Sequence, residues 1–199
     1  MHIAILTFDG FNELDSFIAL GILNRIKSPN WRVSIASPTQ QVTSMNGVTV
    51  ERQIDLIEAS QCDVVLVGSG MKTREVVADD SIMSQLMLDP SRQLIGAQCS
   101  GALVLAKLGL LAHVPACTDL TTKPWLQSAG VEVLDQAFYA KDSMATSGGC
   151  LASKYLAAWV IARLEGIDAM KSAIDYVAPV GEKEAYVELV LQQIAPYLD

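Results

Sequence analysis

The stretch Arg92-Gln-Leu-Ile-Gly-Ala-Gln-Cys99-Ser-Gly-Ala-Leu-Val-Leu-Ala-Lys-Leu-Gly-Leu-Leu111 joins an apolar run to a segment of helical period, with a cysteine at the junction. The residues around that junction are small, which allows the backbone to turn sharply from a strand into a helix. In open α/β sheets such turns lie at the carboxyl edge, where ligands bind. The stretch therefore predicts an α/β fold with Cys99 at its reactive edge.

Other short apolar runs rich in Val and Ile alternate with helix-like segments, a pattern typical of a parallel sheet covered on both faces. The predicted strands are Ile3–Phe8, Arg32–Ala36, Val64–Val67 and Leu94–Ala97. The predicted crossover helices are Ser16–Ile26, Thr73–Leu88 and Ser100–Leu111. We therefore expect one domain over residues 1–199, a doubly wound, mostly parallel, flavodoxin-like sheet flanked by helices on both faces.

Two antiparallel excursions are expected to interrupt this alternation. Asn46-Gly47 lies between Val42–Ser44 and Val48–Glu51 and predicts a tight hairpin, because both residues tolerate a positive φ angle. The second excursion is predicted over Val131–Leu134, Phe138–Ala140 and Met144–Ser147. The last third of the chain is predicted to be helical over Leu151–Leu164, Asp168–Tyr176 and Glu184–Ile194.

Composition limits the classes of function. Of the 199 residues, 51% are apolar and 18% are charged, which fits a folded domain rather than a disordered chain. The net charge of −8 argues against binding to nucleic-acid phosphates. The opening MHIAILTFDG lacks the order of a signal peptide, and no apolar run reaches the ~18 residues that span a bilayer. We therefore expect a cytoplasmic protein with neither a membrane nor a nucleic-acid partner.

The thiols and imidazoles are too dispersed for a metal centre. The four cysteines are far apart and form no C-x-x-C motif, and only two histidines accompany them. We expect no metal and no other cofactor. Free thiols are the default in a reducing compartment, and most would be small buried side chains.

Two interpretations of Cys99 follow from the residues alone. The unpaired N–H groups and the positive dipole end of the following helix would lower the thiol pKa, and the same N–H groups could bind an oxyanion. Alternatively, Cys99 is a buried small residue that ends a strand. The neighbouring motifs bear on this choice.

Three motifs resemble the ThiJ/PfpI superfamily, which has a class I glutamine amidotransferase-like fold, over roughly residues 1 to 165. They are Gln98-Cys99-Ser100-Gly101, Gly68-Ser69-Gly70 after a predicted strand, and Thr146-Ser147-Gly148-Gly149 before a helix. The opening loop, Phe8-Asp9-Gly10-Phe11-Asn12-Glu13-Leu14-Asp15, is similar to that of the isocyanide hydratase-like branch, in which the loop ends in an acidic residue that faces the cysteine.

The resemblance implies that Asp15 is this acid, able to donate a hydrogen bond to sulfur or to carry a proton. Two alternatives stay open: Asp15 is the N-cap of the helix predicted from Ser16, or Glu13 is the acid. The resemblance also implies that the Ser100 N–H is an oxyanion donor, with Gly70 opposite. Ser69 and Gly101 belong with Gly70 to the implied oxyanion and substrate-binding residues. The loop Gly68-Ser69-Gly70 departs from the usual Pro-Gly-Gly.

A histidine expected from many superfamily members is missing. Asp119 stands at that position, and a carboxylate cannot serve as the imidazole base of a Cys–His pair. A protease-like or amidotransferase-like triad is therefore disfavoured, and so is a glyoxalase that relies on histidine. His2 begins a strand at the opposite edge, and His113 lies in the turn after the predicted helix, so neither is well placed to activate Cys99.

Several other side chains have a second interpretation. Cys117 and Cys150 are either buried small residues or resolving thiols that approach Cys99, and Cys62 is expected to be structural. The aromatic residues Phe11, Trp125 and Tyr139 either pack in the ordinary way or form the walls of a pocket.

Three functions remain in order of preference. The first is a hydratase or lyase in which Cys99 attacks a small electrophile such as an isocyanide, Asp15 protonates the adduct and water releases an N-substituted formamide. The second is a non-enzymatic sensor that oxidises Cys99. The third is a ligand-binding module of the kind found in regulators. The resemblance and the broad apolar helix faces also imply a homodimer.

Overall fold

The structure, a computed structural model, describes residues 1–198. Its strands within that range, in chain order, are β1 (His2–Leu6), β2 (Arg32–Ala36), β3 (Gln41–Thr43), β4 (Thr49–Glu51), β5 (Val64–Val67), β6 (Leu94–Gln98), β7 (Phe138–Lys141) and β8 (Met144–Ser147). Its helices are α1 (Glu13–Leu23), α2 (Leu56–Ala59), α3 (Thr73–Ala78), α4 (Asp80–Met83), α5 (Ala102–Lys107), α6 (Lys123–Ser128), α7 (Ser153–Glu165), α8 (Ile167–Val177) and α9 (Lys183–Ile194).

The main sheet has six strands in the order β2-β1-β5-β6-β8-β7. All neighbours are parallel except β7, which pairs antiparallel with β8 at the edge. From β1 the chain moves outward to β2 and then returns across β1 to β5, so the strand order reverses between β1 and β5. In such sheets the crevice outside the carboxyl ends at this switch point holds the ligand. The predicted doubly wound, mostly parallel sheet is confirmed.

Helices cover both faces of the sheet. One core cluster joins the sheet to α1, α7, α8 and α9 and contains the fully buried Trp159. The other cluster packs α2 to α6 against the opposite face. Helix α7 is apolar on most of its circumference because α1, α8, α9 and the sheet all contact it. It ends at Gly166, whose φ of 88° suits a residue without a Cβ.

All three predicted crossover helices differ in extent from the observed ones. The helix predicted over Ser16–Ile26 begins and ends three residues earlier, at Glu13–Leu23. The helix predicted over Thr73–Leu88 is two short helices, because the backbone of Asp79 leaves the helical region and its carboxylate instead accepts from the Ser81 N–H at 2.9 Å. The helix predicted over Ser100–Leu111 begins only at Ala102 and ends at Lys107, after a single 3₁₀ turn over Cys99–Gly101.

The antiparallel predictions are partly confirmed. The hairpin of β3 and β4 forms, but only Gly47 adopts a positive φ, 88°, in its turn. Val131–Leu134 is not a strand: its one ladder contact is an isolated bridge between Ala116 and Val133. The predicted segment Met144–Ser147 is a strand, yet it joins the sheet in parallel with β6 as well as antiparallel with β7. Within residues 1–198 we find no helix long and apolar enough to cross a membrane.

The turn that follows β6 passes directly over the end of β5. A Cβ atom added to Gly101 would lie 2.5 Å from the Val67 carbonyl oxygen and 2.8 Å from that of Gly68. Both obstacles are backbone atoms, so a side chain at this position cannot be accommodated by rotamer changes. Glycine is therefore required at 101 for the turn to sit on the sheet.

We predict that Gly101→Ala lowers the free energy of unfolding by about 1–3 kcal/mol, as expected for overpacking against fixed atoms. Urea denaturation measures the change. Gly21→Ala is the matched control, because a Cβ there meets nothing within 4 Å and the residue lies inside α1. It is expected to stabilise the protein by about 0.5–1 kcal/mol. Equal effects of the two substitutions would contradict the packing argument.

Candidate active site

Cys99 occupies a strained turn immediately after β6. Its φ of 45° lies in the left-handed region, which residues with a side chain seldom adopt. The Thr118 hydroxyl donates to the Cys99 carbonyl at 2.8 Å and holds the turn from the far side. Cys99 is only 5% exposed, which agrees with the interpretation that it is a buried small residue after a strand. The left-handed backbone conformation fixes the direction in which the Cys99 side chain leaves the turn.

Two groups face the Cys99 sulfur. The Asp15 carboxyl and the Gly149 backbone N–H lie close enough to the sulfur to influence its pKa. Burial is the largest influence on the thiol pKa and raises it far above its ordinary value. The negative charge and the acceptor oxygens of Asp15 raise the pKa further, the Gly149 N–H lowers it, and the charge of Asp119 raises it slightly.

The predicted lowering of the Cys99 thiol pKa is therefore wrong. That prediction depended on the N-terminus of a long helix, whereas the structure has a 3₁₀ turn and a helix of six residues. Loss of water around the sulfur and the facing carboxylate outweigh the remaining backbone dipoles. Burial and the facing carboxylate thus favour the thiol form of Cys99 over the thiolate, and Asp15 is a nearby acceptor for its proton.

Asp15 lies in the first turn of α1 and is fully buried. The helix begins at Glu13, and the N-cap is Asn12, whose side chain accepts from the Leu14 N–H at 3.1 Å. Asp15 is therefore not the cap. Its Oδ2 accepts a hydrogen bond from the Ser69 hydroxyl, and its Oδ1 has no hydrogen-bond partner within residues 1–198.

The backbone of Asp15 is fixed by a buried polar contact at the start of α7. The Ser153 hydroxyl donates to the Asp15 carbonyl at 2.5 Å and is also hydrogen-bonded to the Gln98 side chain. Gln98 is the last residue of β6 and directly precedes Cys99. One contact chain thus connects the strand that carries the thiol with the helix that carries the carboxyl group.

The predicted oxyanion residues form a second cluster. The Ser100 hydroxyl lies 2.8 Å from the Thr73 hydroxyl and accepts from the Gly70 N–H at 3.1 Å. The Gly70 N–H is thus engaged by a side chain and does not face Cys99. Ser69 orients Asp15, and Gly101 contributes close packing. The Gly149 N–H takes the position next to sulfur that the sequence assigns to Gly70.

Glu13, the alternative acid, and Asp119, the residue in place of histidine, make their hydrogen bonds away from Cys99. Glu13 bonds the Ser44 hydroxyl and accepts from Asn46 Nδ2 at 2.9 Å, which ties it to the β3–β4 hairpin and lowers its pKa. Asp119 Oδ1 accepts from the Thr121 and Thr122 N–H groups, each at 2.9 Å. The structure thus excludes Glu13 from the contact with Cys99, and it gives Asp119 a role in shaping its loop.

Neither histidine reaches the site. His2 Nε2 lies 2.9 Å from the Ser34 hydroxyl at the amino end of the sheet, and burial and Arg32 lower its pKa. His113 is exposed in a loop with a φ of 65°. Both placements agree with the sequence-based interpretation.

The remaining cysteines have different surroundings. Cys62 and Cys117 are buried, and desolvation raises the pKa of their thiols to about 11 and about 12. Cys150 is only half-buried. Its sulfur accepts from Asn12 Nδ2 at 3.2 Å, and burial, followed by the nearby Asp15, raises its pKa. Cys150 therefore belongs to the site.

Gly149 is the site residue that sequence reasoning missed, whereas Cys150 was already one of two cysteines considered as neighbours of Cys99. The motif Thr146-Ser147-Gly148-Gly149 was recognisable, but nothing in it indicates that a backbone N–H of Gly149 reaches sulfur. Gly149 adopts a φ of 89°, which favours glycine and turns the chain from β8 toward α7. A doubled glycine at the carboxyl end of a strand was the available signal.

An open groove of about 610 Å³ lies beside the buried thiol. Its wall includes Thr118, whose hydroxyl donates to the Cys99 carbonyl, and Gly149, whose N–H lies near the Cys99 sulfur. Asp119 also lines it. The proposed aromatic pocket walls are elsewhere: Phe11 packs on Phe17, and Tyr139 packs on Tyr197 with ring centroids 5.5 Å apart. No arrangement of three His, Cys, Asp or Glu side chains suited to a metal ion occurs in residues 1–198.

The DJ-1/PfpI family model matches residues 1–163, which is most of the chain and includes both Asp15 and Cys99. The chain belongs to the DJ-1/PfpI family. A sequence search of curated proteins found no match.

Solved structures similar to this DJ-1/PfpI chain share its fold. Schizosaccharomyces pombe DJ-1 has a TM-score of 0.76 at 16% identity, covering 90% of this chain and 100% of that chain. Drosophila melanogaster DJ-1beta has a TM-score of 0.75 at 19% identity, covering 88% and 96%. A ThiJ/PfpI family protein from Pseudomonas syringae has a TM-score of 0.76 at 19% identity, covering 98% and 87%.

We predict that Asp15→Asn lowers the pKa of the Cys99 thiol. The substitution removes a facing negative charge and replaces a carboxylate with an amide that can donate to a thiolate, so both effects favour ionisation. The rate of Cys99 alkylation by iodoacetamide, followed against pH by peptide mass spectrometry, reports the pKa. The midpoint of the profile should move to lower pH.

The matched control is Asp119→Asn. Its charge has the smallest of the five influences on the Cys99 thiol, so its profile should move much less than that of Asp15→Asn. A larger shift for Asp119→Asn than for Asp15→Asn would contradict the geometry described here.

Proposed function

We propose that the protein is a cysteine-dependent hydratase that converts a small electrophile, such as an isocyanide, to an N-substituted formamide. The observation that carries this proposal is the buried Asp15 carboxyl against the Cys99 thiol. Such a pair can transfer a proton within the site while sulfur forms a bond to carbon. The membership of the isocyanide hydratase-like branch, which the opening loop implies, is part of the same proposal.

The first step joins sulfur to the terminal isocyanide carbon. As the Cys99 sulfur attacks, its proton passes to the Asp15 carboxylate, and the resulting acid delivers a proton to the same carbon. The product is a thioimidate, S–CH=N–R, and the site has no net change in protons. This sequence explains how a thiol with a raised pKa can react, because ionisation and attack take place together.

The second step releases the product with one water molecule. Asp15 accepts a proton from water as the oxygen adds to the thioimidate carbon. Asp15 then transfers this proton to the thioimidate nitrogen. Collapse of the tetrahedral adduct breaks the carbon–sulfur bond, returns a proton to sulfur and leaves R–NH–CHO. The Gly149 N–H, which lies near sulfur and lowers the thiol pKa, stabilises the negative charge on the departing sulfur.

Other residues act by holding these groups in place. Ser69 donates to Asp15 Oδ2 and orients the carboxyl, and Ser153 fixes the backbone of the same residue. Ser100 braces the loop at Gly70, and its own backbone N–H remains a candidate oxyanion donor. The proposed chemistry needs a proton carrier but no imidazole, which agrees with Asp119 in place of the family's histidine.

The closed surroundings of Cys99 favour a slender substrate. With 5% of Cys99 exposed, a reactive carbon at the end of a linear group reaches sulfur more easily than a branched carbonyl. The groove lined by Thr118 and Gly149 is the proposed approach for the rest of the substrate. We further propose that the protein acts in the cytoplasm as a homodimer, with no macromolecular partner required for the reaction.

We predict that the wild-type protein converts a small alkyl isocyanide to its formamide, detected by proton NMR. Cys99→Ala removes the nucleophile and should abolish turnover. Asp15→Asn removes the proton carrier and should lower kcat by about 10²–10⁴-fold, the usual range for general acid–base catalysis.

Cys117→Ala is the matched control, since Cys117 is also buried but its thiol lies near Thr146 and Gln136 instead of Asp15. It should retain turnover. Wild-type protein without formamide production, or Cys99→Ala with undiminished production, would overturn the proposed hydratase.

The second candidate is a non-enzymatic sensor that uses oxidation of Cys99. The Gly149 N–H and the Asp15 carboxyl next to sulfur favour it as well, because both can hydrogen-bond the oxygen of a sulfenic or sulfinic acid. Failure of every isocyanide to react, with stable oxidised Cys99 after peroxide treatment, would select this candidate.

A further inference from the structure

Gln98 is a buried polar residue on a strand face that is otherwise apolar. Because side chains alternate along a strand, β6 directs Leu94, Gly96 and Gln98 to the same face. Leu94 packs against the apolar core that includes α7, and a Cβ added to Gly96 would lie 2.6 Å from the Leu156 side chain. A carboxamide buried on such a face costs free energy unless it is hydrogen-bonded. The partners of Gln98 therefore indicate what it does.

The carboxamide of Gln98 reaches the backbone of the residue that carries the acid. In the amide orientation that satisfies both of its ends, Nε2 lies 2.6 Å from the Asp15 carbonyl oxygen and 2.7 Å from Ser153 Oγ. In the same orientation Oε1 accepts from the Ser153 N–H at 3.2 Å. The Ser153 hydroxyl donates to the same Asp15 carbonyl at 2.5 Å. Three buried residues thus meet at the Asp15 backbone.

Gln98 is also the residue directly before Cys99. A peptide bond joins it to the residue that carries the thiol, and its side chain binds the backbone of the residue that carries the carboxyl group. The carboxyl group itself is held by Ser69, which donates to Asp15 Oδ2 from the loop after β5. Ser69 therefore sets the direction of the carboxyl group, and Gln98 sets the position of the first turn of α1 relative to β6.

We propose that Gln98 is a positioning residue that keeps the Asp15 carboxyl group opposite the Cys99 sulfur for proton transfer. It acts through Asp15 and does not touch the reacting atoms. Its effect on turnover rests on the proposed hydratase. Its effect on the reactivity of the thiol does not, because that reactivity is measured without an isocyanide.

Glutamine suits this role by its length and by its two kinds of polar atom. Asparagine is one methylene group shorter, and an apolar side chain of the same length cannot bind the Asp15 carbonyl or the Ser153 N–H. Without the amide, these buried groups lose a partner that water does not replace, so the first turn of α1 is free to shift. A misplacement of about 1 Å is enough to slow an oriented reaction by about 10²-fold.

The test compares Gln98→Met with the wild-type protein by the pH profile of Cys99 alkylation with iodoacetamide. Methionine is similar to glutamine in length but does not make its hydrogen bonds. Because Asp15 raises the pKa of the Cys99 thiol, a carboxyl group that has moved away should shift the midpoint to lower pH. In an Asp15→Asn background, Gln98→Met should add little further shift, since Gln98 acts through the Asp15 charge.

Gln93→Met is the matched control. Gln93 is also buried and lies just before the amino end of β6. Its Nε2 donates to the Ser60 carbonyl at 3.2 Å and to the Cys62 carbonyl at 2.5 Å. Loss of these bonds should lower the urea midpoint of unfolding, as Gln98→Met does, but it should leave the alkylation profile of Cys99 unchanged.

A smaller substitution keeps the test decisive if Gln98→Met does not fold. Ser153→Ala removes only the hydroxyl group that lies between Gln98 and Asp15, and it should shift the profile in the same direction. Ser147→Ala is its control, because Ser147 pairs with Gln98 across the strands, is fully buried and has a hydroxyl group without a hydrogen-bond partner within residues 1–198. Its profile should match that of the wild type.

With a small alkyl isocyanide as the substrate, Gln98→Met should lower kcat by about 10²-fold and change KM little, because the substitution misplaces the proton carrier. The proposal is overturned if Gln98→Met, when folded, and Ser153→Ala keep the wild-type alkylation midpoint. It is also overturned if Gln93→Met shifts that midpoint equally, or if the shifts of Gln98→Met and Asp15→Asn add in full. A wild-type protein without turnover would refute the hydratase alone, and the alkylation profiles would still decide the role of Gln98.

Discussion

The contact between the Asp15 carboxyl and the Cys99 thiol, made out of reach of solvent, is the interaction that organises the rest of this protein. It joins groups that are far apart in sequence, one in the first turn of α1 and one at the end of β6. Excluding water strengthens every electrostatic effect between them. The same exclusion raises the pKa of the thiol, so chemistry at this site depends on proton transfer within the pair.

The fold supplies that contact through the strand order. The loops after β1 and β5 diverge at the point where the sheet order reverses, and Asp15 and Ser69 approach each other across that crevice. β6 lies next to β5 and delivers Cys99 to the same edge. β8 follows on the other side of β6 and delivers Gly149. Four neighbouring parallel strands thus contribute one functional group each.

The sequence was most informative where local chemistry decides local structure. Short Val- and Ile-rich runs specify buried strands, and the small residues after Gln98 specify the sharp turn. The resemblance supplied Asp15, which local rules alone treat as a helix cap. What could not be predicted depends on distant segments. The burial of Cys99 and the approach of Asp15 reverse the expected pKa shift, and neither is visible within the stretch around the cysteine. The break at Asp79 was missed because a side chain competed with the helix for a backbone N–H.

The β3–β4 hairpin lies outside the main sheet, yet it contacts the loop that carries the acid. Glu13 is bonded to Ser44 and Asn46 at the hairpin turn, and the Asp9 carboxylate accepts from the Thr43 N–H at 2.9 Å. The hairpin is therefore a buttress for the opening loop. Substitutions at the strand residues of the hairpin leave the Asp15–Cys99 site intact. A change in the length of its turn would displace α1 and misalign the Asp15 carboxyl. The reaction at the site therefore restricts how this hairpin can evolve, although the hairpin takes no direct part in it.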